Sequence, residues 1–322
     1  MAKKTKYRLK PDIFLYLAVI IVLIILGNKG LDKYKEYKYH QTTEYKLITK
    51  GYSKKEIKLL SKYYSEKELL TFTKEKKKTN LLNLMQNKYY MHKNLKEYEE
   101  YLDLNPNKTI EEIIKDVNIH HNYEYYEKTY ATDTKQDYAL LVNKYYYLSE
   151  DYIPDDLVVI STKYSWGTAG SQKIRSEAYE AFKEMHEAAN QNGIYLMVNS
   201  SFRDYASQLR VYDNYKNNHG EEYADKIAAR PGFSEHQTGL ALDIFSIKSS
   251  AQATFKDSDA YQWLKENSYK YGFILRYPEN LENITGYNFE SWHYRYVGKD
   301  LAKKVYESGL TYDEYYAYYI EK

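Results

Sequence analysis

The sequence predicts an α+β fold: a small, mostly antiparallel sheet with flanking helices over residues 136–322, preceded by a helical region and a single membrane anchor. Two observations predict it. Strand-like runs such as Ile194–Val198, Leu240–Ile244 and Trp292–Val297 are short and alternate irregularly with amphipathic helical stretches, which is the α+β pattern. Composition also shifts near residue 136, away from the Lys/Glu/Tyr-rich, glycine-poor text that precedes it.

In chain order, Lys3, Lys4, Lys6, Arg8 and Lys10 lead into the apolar run Ile13–Leu26. As a helix this run is ~21 Å long, or ~25 Å from Pro11 to Gly27, against a hydrocarbon core of ~30 Å. Snorkelling lysines or local thinning covers the difference. A cleaved signal peptide is the competing reading, but Ile25-Leu26-Gly27-Asn28-Lys29 lacks a small-x-small cleavage pattern. The expectation is an uncleaved anchor at residues 1–27, with an inside N-terminus and the rest outside. Lys29, Lys33, Lys35 and Lys38 weaken the charge asymmetry that would set this orientation.

Residues 28–135 read as a succession of short helices, a stalk or interaction module. Ser53-Lys-Lys-Glu56, Ser65-Glu-Lys-Glu68 and Thr109-Ile-Glu-Glu112 are capping boxes, each followed by apolar residues at helical spacing. His120 and His121 sit in a polar stretch and read as a solvated linker. No residue here suggests chemistry, and the sequence names no partner for the region.

From residue 136 the elements expected are a strand ending near Ile160, a helix over 171–191 and a strand at Ile194–Val198. A helix then opens at Ser200-Ser201, and a second spans about 221–229. Leu240–Ile244 is a strand, Asp257 caps a helix to about 270, and Phe273–Tyr277 and Trp292–Val297 are further strands. Thr311-Tyr-Asp-Glu314 caps a terminal helix.

Composition narrows the function. With 47 basic and 45 acidic residues the net charge is +2, so a nucleic-acid role has no electrostatic support. There is no cysteine, so a metal would have to be held by His and carboxylate. The 42 tyrosines fit codon bias in an AT-rich genome, or else an aromatic surface able to stack on sugars or proteins.

Chemistry concentrates in two segments, Ser234-Glu-His-Gln-Thr-Gly-Leu-Ala-Leu-Asp243 and Glu290-Ser-Trp-His-Tyr-Arg-Tyr-Val-Gly298. His236, Asp243 and His293 supply two imidazoles and a carboxylate, the ligand count of a catalytic zinc site with one position left for water or substrate. Glu290 is a spare carboxylate where a general base would sit. A turn at Gly239 is required, because residues seven apart on one straight strand point to opposite faces. Taken singly, each residue is more often structural; the set of four is not.

These motifs, S-x-H-x-x-G-x-A-x-D followed by E-x-W-H, resemble the zinc D-alanyl-D-alanine carboxypeptidases of the VanY type. The resemblance extends upstream to Ser201-Phe-Arg-Asp-Tyr-Ala-Ser-Gln208 and covers roughly residues 136 to 300. That family shares its superfamily with lysostaphin-like peptidases and the hedgehog domain. It implies one zinc per chain on His236, Asp243 and His293, with Glu290 as general acid/base. Arg203 would face the reacting carbonyl, and Ser234 and Gln208 would help hold the substrate's C-terminal end. The function implied is a membrane-anchored D,D-carboxypeptidase acting on peptidoglycan stem peptides. A dipeptidase, a wall endopeptidase and a catalytically silent wall-binding scaffold are the alternatives.

Overall fold

A computed structural model describes residues 11–168 and 170–321. The basic tip, Lys3 to Lys10, lies outside the described residues. The chain divides into two compact units, Met1–Lys93 and Asn94–Lys322.

The first unit begins with α1 (Pro11–His40), 30 residues that extend the expected helix well beyond its apolar part. Among the described residues it alone is long and apolar enough to cross a membrane, with a mean hydropathy of 2.3 over its best window and no buried share. Four short helices follow: α2 (Thr43–Thr49), α3 (Lys54–Leu60), α4 (Glu66–Phe72) and α5 (Thr79–Gln86). The Ser53 and Ser65 boxes form as read, with Ser Oγ accepting from the N3 amide and the N3 glutamate accepting in return. Leu47, Ile57, Leu60, Leu69, Phe72, Leu82 and Leu84 are among this unit's buried apolar residues.

In the second unit α6 (Leu95–Leu104) and α7 (Ile110–Asn118) pair, with the Thr109 box opening α7. The unit thus begins earlier than residue 136. The segment after α7 is stitched to its body: the Tyr145 hydroxyl donates to Tyr123 O at 2.9 Å, and His120 Nε2 lies 2.9 Å from the Tyr146 hydroxyl. His120 and His121 are therefore half-buried among tyrosines rather than in a solvated linker.

Three small sheets form among the described residues. β1 (Tyr130–Ala131) pairs parallel with β2 (Tyr146–Tyr147), and β3 (Leu157–Val159) pairs antiparallel with β4 (Lys173–Arg175). The third has β5 (Leu196–Ser200), β6 (Ala241–Ser246), β7 (Phe273–Leu275) and β8 (His293–Tyr296) in the order β5-β6-β8-β7, antiparallel throughout.

The 171–191 helix is shorter than expected, because Lys173–Arg175 is drawn into β4 and α8 spans Ser176–Asn190. Its buried stripe is Ala178, Ala181, Phe182, Met185 and Ala189, packed against Leu196, Val198, Leu242, Ile244, Tyr294 and Tyr296 of the sheet. Burying Phe182 or Met185 contributes roughly 1.5–3 kcal/mol each. β5 runs on through Ser200, so the next helix, α9 (Tyr205–His219), opens at Asp204, whose side chain accepts from Ser207 N at 2.7 Å. α10 (Glu221–Ile227), α11 (Gln252–Phe255) and α12 (Asp259–Asn267) follow, the last capped by Ser258 rather than Asp257. α13 (Glu282–Thr285) precedes β8, and α14 (Lys299–Ser308) and α15 (Tyr312–Tyr315) end the chain, α15 widening into a π turn over Tyr316–Ile320.

Tyrosine is core material here. Tyr145, Tyr146, Tyr312, Tyr315 and Tyr316 cluster with Leu141, Ile274 and Val305, and Tyr294 and Tyr296 back the main sheet. These tyrosines are therefore core residues rather than free surface.

Candidate metal centre

Strand register does most of the assembly. Asp243 on β6 is the direct partner of His293 on β8, so both side chains leave the same face of the sheet. Tyr294 and Tyr296, one residue out of phase, go to the opposite face and the core. His236 comes from a 3₁₀ turn, Glu235–Thr238, which ends at Gly239 in the left-handed region, φ 65°. The positive φ demands glycine, and a Cβ there would also crowd Leu157 Cδ2 at 2.9 Å and Arg175 Cγ at 3.1 Å. The turn brings His236 Nε2 to 3.5 Å from Asp243 Oδ1, while His293 Nδ1 lies 3.2 Å from the same oxygen.

One ligand atom from each of these three residues lies within 4.8 Å of the others. A tetrahedral ion with bonds of ~2.0–2.1 Å separates its ligand atoms by about 3.3 Å, so the two short spacings suit a zinc-sized ion. The outer nitrogens are already engaged. His236 Nδ1 donates to Ser201 O at 2.7 Å, and His293 Nε2 lies 3.2 Å from Glu235 Oε2, leaving Nε2 and Nδ1 respectively to face the centre. The donor set fits zinc.

Electrostatics sort the members. Burial, then the nearby Arg203, lowers His236 to about 4, so it is a neutral imidazole at pH 7. Burial opposes charge on Asp243, but His236 and His293 outweigh it and hold the carboxyl well below its usual range. For His293 burial is likewise outweighed, by the hydrogen bonds it donates to Asp243 and Glu235, and its pKa rises to about 9. Without a metal it carries a proton that a metal must displace. Glu290 sits in the loop before β8, 3.6 Å from His293 Nδ1, its side chain 20 % exposed. Burial pushes it up to about 7, with His293 and Arg203 opposing and Asp243 adding.

Arg203 follows β5. Its amide donates to His236 O at 3.2 Å, Nε donates to Gln208 Oε1 at 3.1 Å and NH1 to Ser200 Oγ at 2.8 Å. Gln208 is spent on the fold: besides accepting from Arg203, its amide donates to Ala229 O at 2.8 Å. Ser234 caps the 3₁₀ turn, its Oγ accepting from His236 N. Both line the cavity, yet their polar atoms already have internal partners. The cavity is about 440 Å³ and opens beside His236, Asp243, His293, Glu290 and Arg203, walled by Tyr215, Tyr223, Tyr287 and Phe289. Trp292 stacks on Phe245 at 6.1 Å and 14°, bracing the strand that carries His293.

Sequence reasoning passed over Glu235, Arg276, Arg295 and Asp313. Two had a signal: Glu235 lies inside the Ser234–His236 motif, and Arg295 is one strand period after His293.

Comparison with known proteins is consistent across sequence and structure. The family model for VanY, D-alanyl-D-alanine carboxypeptidase, matches residues 171–299. The Bacillus subtilis protein YodJ is 43 % identical over 179 residues, 55 % of this chain and 66 % of that protein. An Enterococcus faecalis D-alanyl-D-alanine carboxypeptidase is 39 % identical over 153 residues, 44 % of this chain and 54 % of its own length. The chain thus spans less than two thirds of these curated relatives. The solved structure of the LdcB LD-carboxypeptidase superposes with a TM-score of 0.56 at 40 % identity, covering 59 % of this chain and 90 % of that one. With Asp243 and His293 of the two motifs paired across β6 and β8 inside the matched span, this chain belongs to the VanY family of D-alanyl-D-alanine carboxypeptidases.

Proposed function

We propose that the protein is a membrane-anchored zinc D,D-carboxypeptidase that removes the C-terminal D-alanine from peptidoglycan stem peptides. The observation that carries the reading is the convergence of His236, Asp243 and His293 with Glu290 and Arg203 on one cavity. One zinc per chain, held by His236, Asp243 and His293, would lower the pKa of a coordinated water toward ~7 and polarise the scissile carbonyl.

The chain's own groups do the rest. Glu290, near neutral in pKa, takes the proton of the attacking water and later returns it to the leaving amine. Arg203, fixed by Gln208 and Ser200, supplies positive charge where the carbonyl oxygen becomes an anion. Gln208 and Ser234 contribute to substrate holding by fixing Arg203 and the His236 turn. α1 serves as the anchor, the helices after it as a stalk, and the catalytic unit works outside the membrane, where its substrate is.

A second reading, an L,D-carboxypeptidase, is favoured by the likeness to LdcB. Mass analysis of products from stem pentapeptide and tetrapeptide separates them. The proposal expects one alanine lost from the pentapeptide and the tetrapeptide intact. Loss from the tetrapeptide alone supports the L,D reading, release of D-Ala-D-Ala a dipeptidase, and no cleavage the silent scaffold.

A further inference from the structure

Behind His293 lies a buried set of charges that the proposed reaction does not use; of its members only Glu235 borders the cavity, while Arg276, Arg295 and Asp313 lie beyond it. Glu235 Oε2 faces His293 Nε2 at 3.2 Å, and its other oxygen accepts from Arg276 Nε at 2.8 Å and Arg295 NH1 at 3.1 Å. Arg276 turns its remaining edge to Asp313, donating from NH1 at 2.6 Å and NH2 at 3.0 Å, a bidentate grip. Asp313 also accepts from Asn143 Nδ2 at 2.8 Å, and Arg295 NH2 is held by Leu140 O at 2.8 Å and Tyr138 O at 3.1 Å. Both arginines are 0 % exposed and Glu235 1 %.

Two features set this apart from an ordinary buried ion pair. First, the two guanidiniums and two carboxylates cancel, so Glu235 can accept from a neutral His293 without needing an imidazolium to balance it. Second, a buried ionic set is seldom more stable than apolar residues of the same volume, so stability alone gives no reason to bury four charges. What the set achieves is geometric. Each oxygen of Glu235 is assigned, one to the arginines and one to His293, and a ring nitrogen so held fixes both the rotation and the tautomer of a ligating histidine.

We propose that the C-terminal turn positions the metal centre: Asp313 of α15, through Arg276 and Glu235, holds His293 in its ligating orientation. Glu235 is the direct positioning residue and Asp313 the remote one. Asp313 and Asn143 both lie outside residues 171–299, the span matched by the family. The last helix and the 140–148 segment are thereby part of the metal centre's support and not merely its packaging. This rests on His293 being a zinc ligand.

The test uses the full chain in detergent, reading zinc affinity by chelator competition and the visible spectrum of the cobalt(II)-substituted protein. Glu235→Gln is expected to weaken zinc about 10–100-fold, the usual cost of losing such a partner, and to shift the cobalt bands. Asp313→Asn is expected to weaken zinc about tenfold, and to cost nothing further in the Glu235→Gln background, because it acts through Glu235. Wild-type affinity and spectrum in Asp313→Asn, or effects that simply multiply in the double variant, overturn the proposal. Should Asp313→Asn fail to fold, the wild type still decides. Coupling is reciprocal, so zinc must slow amide exchange at residues 311–316, and no change there overturns the proposal equally. If the wild type itself binds no zinc, the metal reading fails instead, an outcome separate from both.

Discussion

The two sides of the His293 ring carry the same chemistry to opposite ends. Facing the cavity, Glu290 has no guanidinium in hydrogen-bond contact, and burial raises its pKa to about 7. On the sealed side Glu235 is more deeply buried, yet Arg276 and Arg295 outweigh that burial and hold its carboxyl well below the usual range. Burial alone therefore does not decide ionisation; the nearest fixed charge does. On the proposed reading the difference separates a proton carrier from a fixed strut, and it can be broken from either side.

The largest effect is expected from the shared ligand. His293→Ala removes the pivot of both sides, and zinc content should fall from about one per chain to near none; His236→Ala should do the same. Full retention of zinc in both variants would remove the site. Next in size is the cavity side alone: Glu290→Gln should keep zinc and lower kcat by at least ~10²-fold.

Arg203→Lys should follow, lowering kcat and kcat/KM together by ~3–4 kcal/mol of transition-state stabilisation, since an ammonium cannot present two aligned donors. A raised KM with unchanged kcat would make Arg203 a grip on the substrate's carboxylate. No change in either would make it a structural residue.

The smallest effect is thermal. In the zinc-free protein His293 and Glu290 both have raised pKa values, so each contributes stability at low pH that is lost as pH rises through about 9 and about 7 respectively. Zinc held by His293, as proposed, would replace that proton and bind tighter as the proton becomes easier to lose. The gap in Tm between zinc-loaded and chelator-treated protein should therefore widen from pH 6 to 9. A constant gap would mean that His293 holds no proton for zinc to displace.

What was readable in the sequence followed the range of the interactions. The capping boxes at Ser53, Ser65, Thr109 and Thr311 are three-residue devices, and all four form as read. The convergence of His236, Asp243 and His293 was legible because two short motifs carry them and Gly239 marks the turn between His236 and Asp243. Helix starts at 171 and 200 were misplaced because strand pairing with β3 and β6 claimed residues whose local propensity allowed helix. On the sealed side, Arg276 and Asp313 were invisible. Asp313 meets Arg276 across 37 residues and Asn143 across 170, and no local pattern announces such a partnership. The buried tyrosines were equally illegible, since the tyrosine count carries no information about which of them the core takes.

The most direct test of the centre is zinc content measured beside turnover in the wild type and Glu290→Gln. About one zinc per chain in both, with turnover lost only in the variant, is the predicted result. Loss of zinc from Glu290→Gln would make Glu290 a ligand, reassign Asp243, and contradict the division of labour around His293.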